Sequence, residues 1–143
     1  MATAVRVLVV GLGNMGASHA SAYHRNPGCE IVGLCSRSIK SKPIPDALKN
    51  YPIFEEYEAA LVELKPDAVS INTWPNTHAE YAIKAMEAGA HVFMEKPIAA
   101  NNEDAERVVE TARRLNRKLV LGYILRVHPS WVKFIEIGKT LGK

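Results

Sequence analysis

Three short stretches of this chain hold residues whose type and spacing could do chemistry. The first is Gly11-Leu12-Gly13-Asn14-Met15-Gly16, which directly follows an apolar run. Glycines at this spacing suit a bound phosphate. Gly11 allows a tight turn out of a strand, and Gly13 lets the backbone approach a pyrophosphate because no Cβ intervenes. Gly16 lets the next helix pack close to the strand. The N–H groups and positive dipole end of that helix then face the anion. Alone the motif is a weak signal. It needs a strand before it, a helix after it and a β-α-β unit around it.

The second stretch is Ser36-Arg37, about 20 residues beyond the last glycine, where a carboxylate would bond the ribose hydroxyls of NAD. Here Ser36 and Arg37 are followed by Ser38, Lys40 and Lys42. A guanidinium pairs with a 2′-phosphate and stacks on adenine, so NADP is expected in preference to NAD. The alternative is a solvated basic loop, with NAD held through ribose contacts elsewhere. The third stretch is Glu95-Lys96-Pro97. A lysine at the end of a strand can sit beside the reactive ring of such a cofactor. A neighbouring carboxylate can orient it, and burial can bring it into the range of proton transfer near neutral pH. On spacing alone, a lysine there is more often a surface residue, and three residues do not decide between the two.

The elements that must position these residues alternate along the chain. Val5–Val10 reads as a strand apolar on both faces, as a central parallel strand should be. A helix over 13–26, rich in small residues and stopped by Pro27-Gly28, precedes a strand over Cys29–Cys35. Residues 36–45 are polar and broken by Pro43 and Pro45, hence a loop, with a short helical turn after it. A short strand at 52–54, a helix over Tyr57–Leu64 and a buried strand over 68–72 follow. The pattern continues with a helix over 78–88 closed by Gly89 and a strand over His91–Met94. Asn101 then caps a helix that runs to Asn116, ahead of a strand over 118–122. A last helix over 129–138 carries Trp131, Phe134 and Ile135 on one stripe. Strands and helices alternating at this spacing imply a doubly wound, mostly parallel α/β sheet with right-handed crossovers. Ligands of such sheets bind at the C-terminal strand ends. That rule collects Gly11 to Gly16, Ser36, Arg37, Asn72, Thr73, Trp74, Asn76, Glu95 and Lys96 as one candidate site.

Composition narrows the classes. The 143 residues suffice for one domain with a sizeable core; 48% are apolar and 23% charged, the balance of a soluble globular protein. A net charge of +3 without a basic run or aromatic-interleaved basic patch argues against nucleic acid as a partner. The start of the chain resembles a secretory signal only superficially, since Arg6 and the glycines interrupt it. No segment is long enough to span a bilayer, so no membrane partner is expected. Cys29 and Cys35, six apart, would share a face of one strand and read as reduced thiols of a cytoplasmic protein. No metal is expected, because no cluster has ligand spacing and His19 and His24 are five apart. His78 reads as structural or peripheral to the cofactor, and His91 as packing. His128 reads as a connecting-segment residue with some chance of reaching the active site.

The glycine motif, the segments 69–78 and 88–97, and Arg126-Val127-His128-Pro129 together resemble the Gfo/Idh/MocA family of sugar and polyol oxidoreductases. The resemblance implies a Rossmann-type NAD(P)-binding domain. It implies that Lys96 is the catalytic lysine and assists proton transfer at a substrate hydroxyl or carbonyl while hydride passes to or from nicotinamide. It implies that Glu95 and Pro97 position Lys96 through a cis Lys-Pro bond. Asn72, Thr73 and Asn76 would border the cofactor, and Tyr123 and Arg126 would approach the nicotinamide end. Where the family has Thr-Pro after the fourth strand, Trp74 stands between Thr73 and Pro75. It would stack on the cofactor or cover it. The resemblance further divides the chain into a cofactor domain over 1–123 and a connecting segment over 124–143. That segment would lead into a C-terminal α/β sheet domain that this chain lacks. The absent domain would supply a histidine, most of the sugar- or polyol-substrate pocket and the interface of a homo-oligomer. The chain is thus expected to be a fragment that binds cofactor with little or no turnover. Two rivals remain: a non-catalytic sugar- or nucleotide-sensing regulator on the same fold, and a stand-alone nucleotide-binding module.

Overall fold

A computed structural model describes residues 3–37 and 44–142. Ser38, Lys40, Lys42 and Pro43 lie outside the described residues. The element order is β1 (Val5–Val10), α1 (Asn14–Arg25), β2 (Cys29–Cys35), β3 (Ile53–Phe54), α2 (Tyr57–Leu64), β4 (Ala68–Ile71), α3 (Pro75–Glu87), β5 (His91–Met94), α4 (Asn102–Arg114), β6 (Leu119–Leu121) and α5 (Pro129–Thr140). Single 3-10 turns occupy Asp46–Leu48 and Ile124–Arg126. The six strands form one parallel sheet in the order β3-β2-β1-β4-β5-β6. This is the doubly wound arrangement, with its switch point between β1 and β4.

β1 is apolar on both faces because both faces are covered. Val7 and Val9 pack with Ala20 of α1, Ile31, Leu34 and Leu48. Leu8 and Val10 point the other way, into a larger cluster with Ala60 of α2, Ala82 and Met86 of α3, and Val108 of α4. One expectation about faces is corrected here. The pairing of β1 with β2 slips between Val7 and Leu8, whose partners are Ile31 and Gly33, so Val32 is an extra residue in β2. The slip reverses the alternation of side chains along β2. Cys29 therefore packs against the α1-side cluster and Cys35 against the opposite one, rather than both on one face. Both thiols are free.

α3 also departs from expectation, starting at Pro75 rather than His78. Proline at the first helical position needs no N–H acceptor and presets φ, so Trp74 becomes the cap with extended backbone angles. His78 consequently lies inside the first turns, facing inward at 1% exposure. α4 starts as expected, with the Asn101 Oδ1 accepting from the Asp104 N–H at 2.8 Å. α5 lies against the 3-10 turn Ile124–Arg126 and buries no residue. Among the described residues, no helix is long and apolar enough to cross a membrane.

Candidate functional site

Backbone hydrogen bonds continue across the C-terminal rim of the sheet, one residue beyond each strand. Ser36 N–H donates to the Phe54 carbonyl at 3.0 Å, Gly11 to Cys35 at 2.8 Å and Asn72 to Val10 at 2.8 Å. Glu95 donates to Ile71 at 2.9 Å, and Gly122 to Met94 at 2.8 Å. Ser36, Gly11, Asn72 and Glu95 therefore stand side by side, although they lie far apart in the chain.

A cleft of about 490 Å³ opens above this row, lined by Gly11 to Met15, Ser36, Arg37, Asn72, Thr73 and Trp74. These are ten of the residues singled out by the sequence. Val10, Cys35, Glu55 and Tyr81 also line it. Gly16 lies beneath the loop, where a Cβ would stand 1.7 Å from the Gly11 carbonyl oxygen. The lining does not include Asn76, exposed in the first turn of α3, or Arg126, whose guanidinium lies 5.4 Å over the Tyr123 ring. Nor does it include Glu95 and Lys96, which follow β5 on the rim. Lys96 is exposed and Glu95 is 8% exposed; the Lys96-Pro97 bond is cis.

The cradle around the glycine loop is tight on one side and open on the other. Gly11 has φ +84°, and a Cβ there would meet the Asn72 carbonyl oxygen at 2.6 Å. Gly13 has open space where its Cβ would stand. It also caps α1 with no side-chain bond, and the first intrahelical bond runs from Ala17 N–H to the Gly13 carbonyl. The N–H groups of the first turn thus have no acceptor in the helix. The Asn72 amide nitrogen donates to the Ser70 carbonyl at 3.0 Å, while its Oδ1 is buried without a hydrogen-bond partner. Free donors, a missing Cβ and a waiting acceptor fit a dinucleotide phosphate bridge and an adjoining hydroxyl or amide.

The far end of the cleft is polar and aromatic. Burial holds the Tyr81 hydroxyl above the ordinary phenol range, against the pull of the Arg37 guanidinium. Its ring stacks on Tyr57 at 4.4 Å, and the Tyr57 hydroxyl donates to the Tyr81 carbonyl at 2.8 Å. Burial pushes the Cys35 thiol up to about 12, aided by Glu56 and Glu58. Sequence reasoning missed Tyr81 as a lining residue, and it also missed Glu55. Its signal was the pairing of Phe54 with Cys35, which brings a carboxylate beside Ser36 from a different strand. The pattern that places an acid at the end of β2 does not look there.

Two histidines contact residues of this rim, and His78 does so in the structural role expected of it. The His19 Nε2 lies 2.9 Å from the Glu95 Oε1. The His78 ring bonds the Pro97 carbonyl through Nδ1 at 2.6 Å and the Thr73 carbonyl through Nε2 at 3.1 Å. His91 does pack as expected, its Nδ1 accepting from Lys118 N–H at 3.1 Å. His128 is exposed at the start of α5.

Known proteins share this fold. The sequence profile of the oxidoreductase family with an NAD-binding Rossmann fold matches residues 5–123. The chain is 33% identical over 121 residues to D-glucoside 3-dehydrogenase of Escherichia coli, covering 83% of this chain and 34% of that protein. It is 32% identical over 126 residues to UDP-N-acetylglucosamine 3-dehydrogenase of Acidithiobacillus ferrooxidans, covering 88% and 39%. The crystal structure of scyllo-inositol dehydrogenase from Lactobacillus casei, with bound NAD(H) and scyllo-inositol, superposes with a TM-score of 0.84. That match has 26% identity and covers 96% of this chain and 42% of the other. The chain thus spans between a third and two fifths of these curated relatives. With its glycine cradle, its strand order and the matched span of 5–123, the chain belongs to the Gfo/Idh/MocA oxidoreductase family and forms its NAD-binding Rossmann domain.

Proposed function

We propose that this chain is the cofactor-binding part of an oxidoreductase that moves hydride between a nicotinamide cofactor and a hydroxyl or carbonyl carbon of a sugar or polyol. The observation that carries this reading is the row on the sheet rim, which sets the glycine loop, Asn72 and the Glu95-Lys96 pair in one line. Gly11 to Gly16 and the uncapped start of α1 hold the pyrophosphate. The buried Asn72 Oδ1 takes a hydrogen bond from the bound cofactor. Thr73 and Trp74 would border it, and Asn76, Tyr123 and Arg126 would meet it only beyond the cleft lining. When bound, nicotinamide supplies the hydride acceptor or donor. Lys96 holds or releases the proton at the substrate oxygen, and Glu95 and Pro97 fix where its ammonium stands. The substrate pocket and a homo-oligomer interface belong to a further domain outside 1–143, with residues 124–143 as the connection. The protein works in the cytoplasm, and the chain alone binds cofactor with little turnover.

Arg37 in the cleft favours NADP, because its guanidinium matches a 2′-phosphate. A second reading rests on Glu55, which lines the same end of the cleft. A carboxylate there accepts from ribose hydroxyls and repels a 2′-phosphate, which favours NAD. Calorimetric titration with NADPH and with NADH separates the two. Tighter NADPH assigns the choice to Arg37, and tighter NADH assigns it to Glu55. Binding of neither overturns the reading of the glycine loop.

A further inference from the structure

Lys96 itself is exposed, yet both of its neighbours are held by histidines. Glu95 is 8% exposed, and its Oε1 lies 2.9 Å from the Nε2 of His19. A glycine at 122 makes the room, since a Cβ there would stand 3.2 Å from the same oxygen. On the other side, the Pro97 carbonyl lies 2.6 Å from the Nδ1 of His78. His78 is 1% exposed, and its Nε2 lies 3.1 Å from the Thr73 carbonyl. Both partners are carbonyl oxygens, so a neutral ring donates to one of them at a time, according to its tautomer.

The two rings arrive from opposite faces of the sheet. His19 sits on α1, whose Ala20 packs with Val7 and Val9. Its ring lies against Phe93 of β5 at 5.1 Å between centroids. His78 sits on α3, whose Ala79 and Ala82 pack with Leu8 and Val10. Each histidine also reaches the cofactor cleft by a second route. α1 begins at the glycine loop, and Thr73 lines the cleft.

We infer that His19 and His78 are positioning residues for Lys96. They brace the residues before and after it against the two elements that contact the cofactor. The lysine therefore stands at a fixed height above the rim without a partner for its own ammonium being required. The inference rests on the proposed function and deepens it, since it gives the proton-transfer lysine of that reading its support.

Side-chain replacements can test each nitrogen separately. A glutamine amide reaches roughly where a histidine Nε2 stands, and an asparagine amide where Nδ1 stands. His19→Gln keeps a donor to Glu95, and His19→Leu removes it. His78→Asn keeps the donor to Pro97, and His78→Gln keeps only the one to Thr73. Backbone 15N relaxation at Lys96 is measured on the 143-residue chain and its variants, with thermal melts and titrations with NADPH and NADH alongside. We expect the Lys96 order parameter to stay at about 0.85 in the wild type, His19→Gln and His78→Asn. It should fall below about 0.6 in His19→Leu and His78→Gln. A general loss of stability would lower the melting temperature of both members of a pair without separating them. An ordered Lys96 in His19→Leu and His78→Gln overturns the inference, and so does equal disorder within each pair. Failure of the wild-type chain to bind either NADPH or NADH overturns the proposed function instead, and leaves the Lys96 comparison to be judged by itself.

Discussion

Gly11 carries the most constrained backbone of the cleft. Its φ of +84° disfavours any side chain, and the Asn72 carbonyl oxygen would stand 2.6 Å from an added Cβ. The backbone cost alone is about 1–2 kcal/mol. Gly11→Ala should lower the melting temperature and abolish cofactor binding, as calorimetry of the folded variant would show. Arg37→Ala makes a finer cut. If Arg37 meets a 2′-phosphate, NADPH binding weakens by about tenfold or more while NADH binding barely changes. Equal losses for the two would remove Arg37 from the choice and leave it to Glu55. The Cys35 thiol provides a pH-dependent test. Its pKa rises from the ordinary 9.0 to about 12 on folding, because burial penalises the thiolate. Between those values the unfolded chain gives up the proton and the folded chain keeps it, so stability falls as pH rises. The urea midpoint should fall more steeply from about pH 8 to about pH 10.5 in the wild type than in Cys35→Ala.

Among the elements, α4 gives the simplest stability test. Asn101 accepts from the Asp104 N–H, and Asn101→Ala should cost about 1 kcal/mol, read from urea denaturation. That cap was legible in the sequence because it involves residues three apart. The glycine loop, the alternation of strands and helices, and the rim positions of Asn72 and Glu95 were legible for the same reason, since each follows from local spacing. A regular strand keeps its alternation, which would set Cys29 and Cys35 on one face. The extra Val32 breaks that alternation, and a register slip belongs to the pairing of two strands rather than to either one. The start of α3 was placed at its first strong apolar turn, three residues after Pro75 had already set the helix. Glu55 escaped notice because it reaches the cleft from β3, through pairing with β2. The contact of His19 escaped because it joins α1 to a loop 76 residues away.

At the scale of the molecule, the sheet and its two packed faces hold together without α5. None of the α5 residues is buried, and Phe134 is 67% exposed. A chain ending at Val127 should keep its melting temperature within about 2–4 °C and bind NADH as well as the full chain does. A large loss would show that residues 128–143 are part of the cofactor domain and not a connection. The exposed Trp131, Phe134 and Ile135 should also make the longer chain associate more at high concentration, a difference that light scattering detects.

The two tryptophans are distributed in a way that gives the protein an optical reporter. Trp74 lines the cleft and is 77% exposed, whereas Trp131 lies on α5, outside the lining. Reduced nicotinamide absorbs where indole emits, so a reduced cofactor bound in the cleft should take up excitation from Trp74 by energy transfer. With Trp131→Phe, the remaining emission comes from one indole at the cleft mouth. Its quenching, and the sensitised glow of the dinucleotide, follow occupancy in real time and without a label.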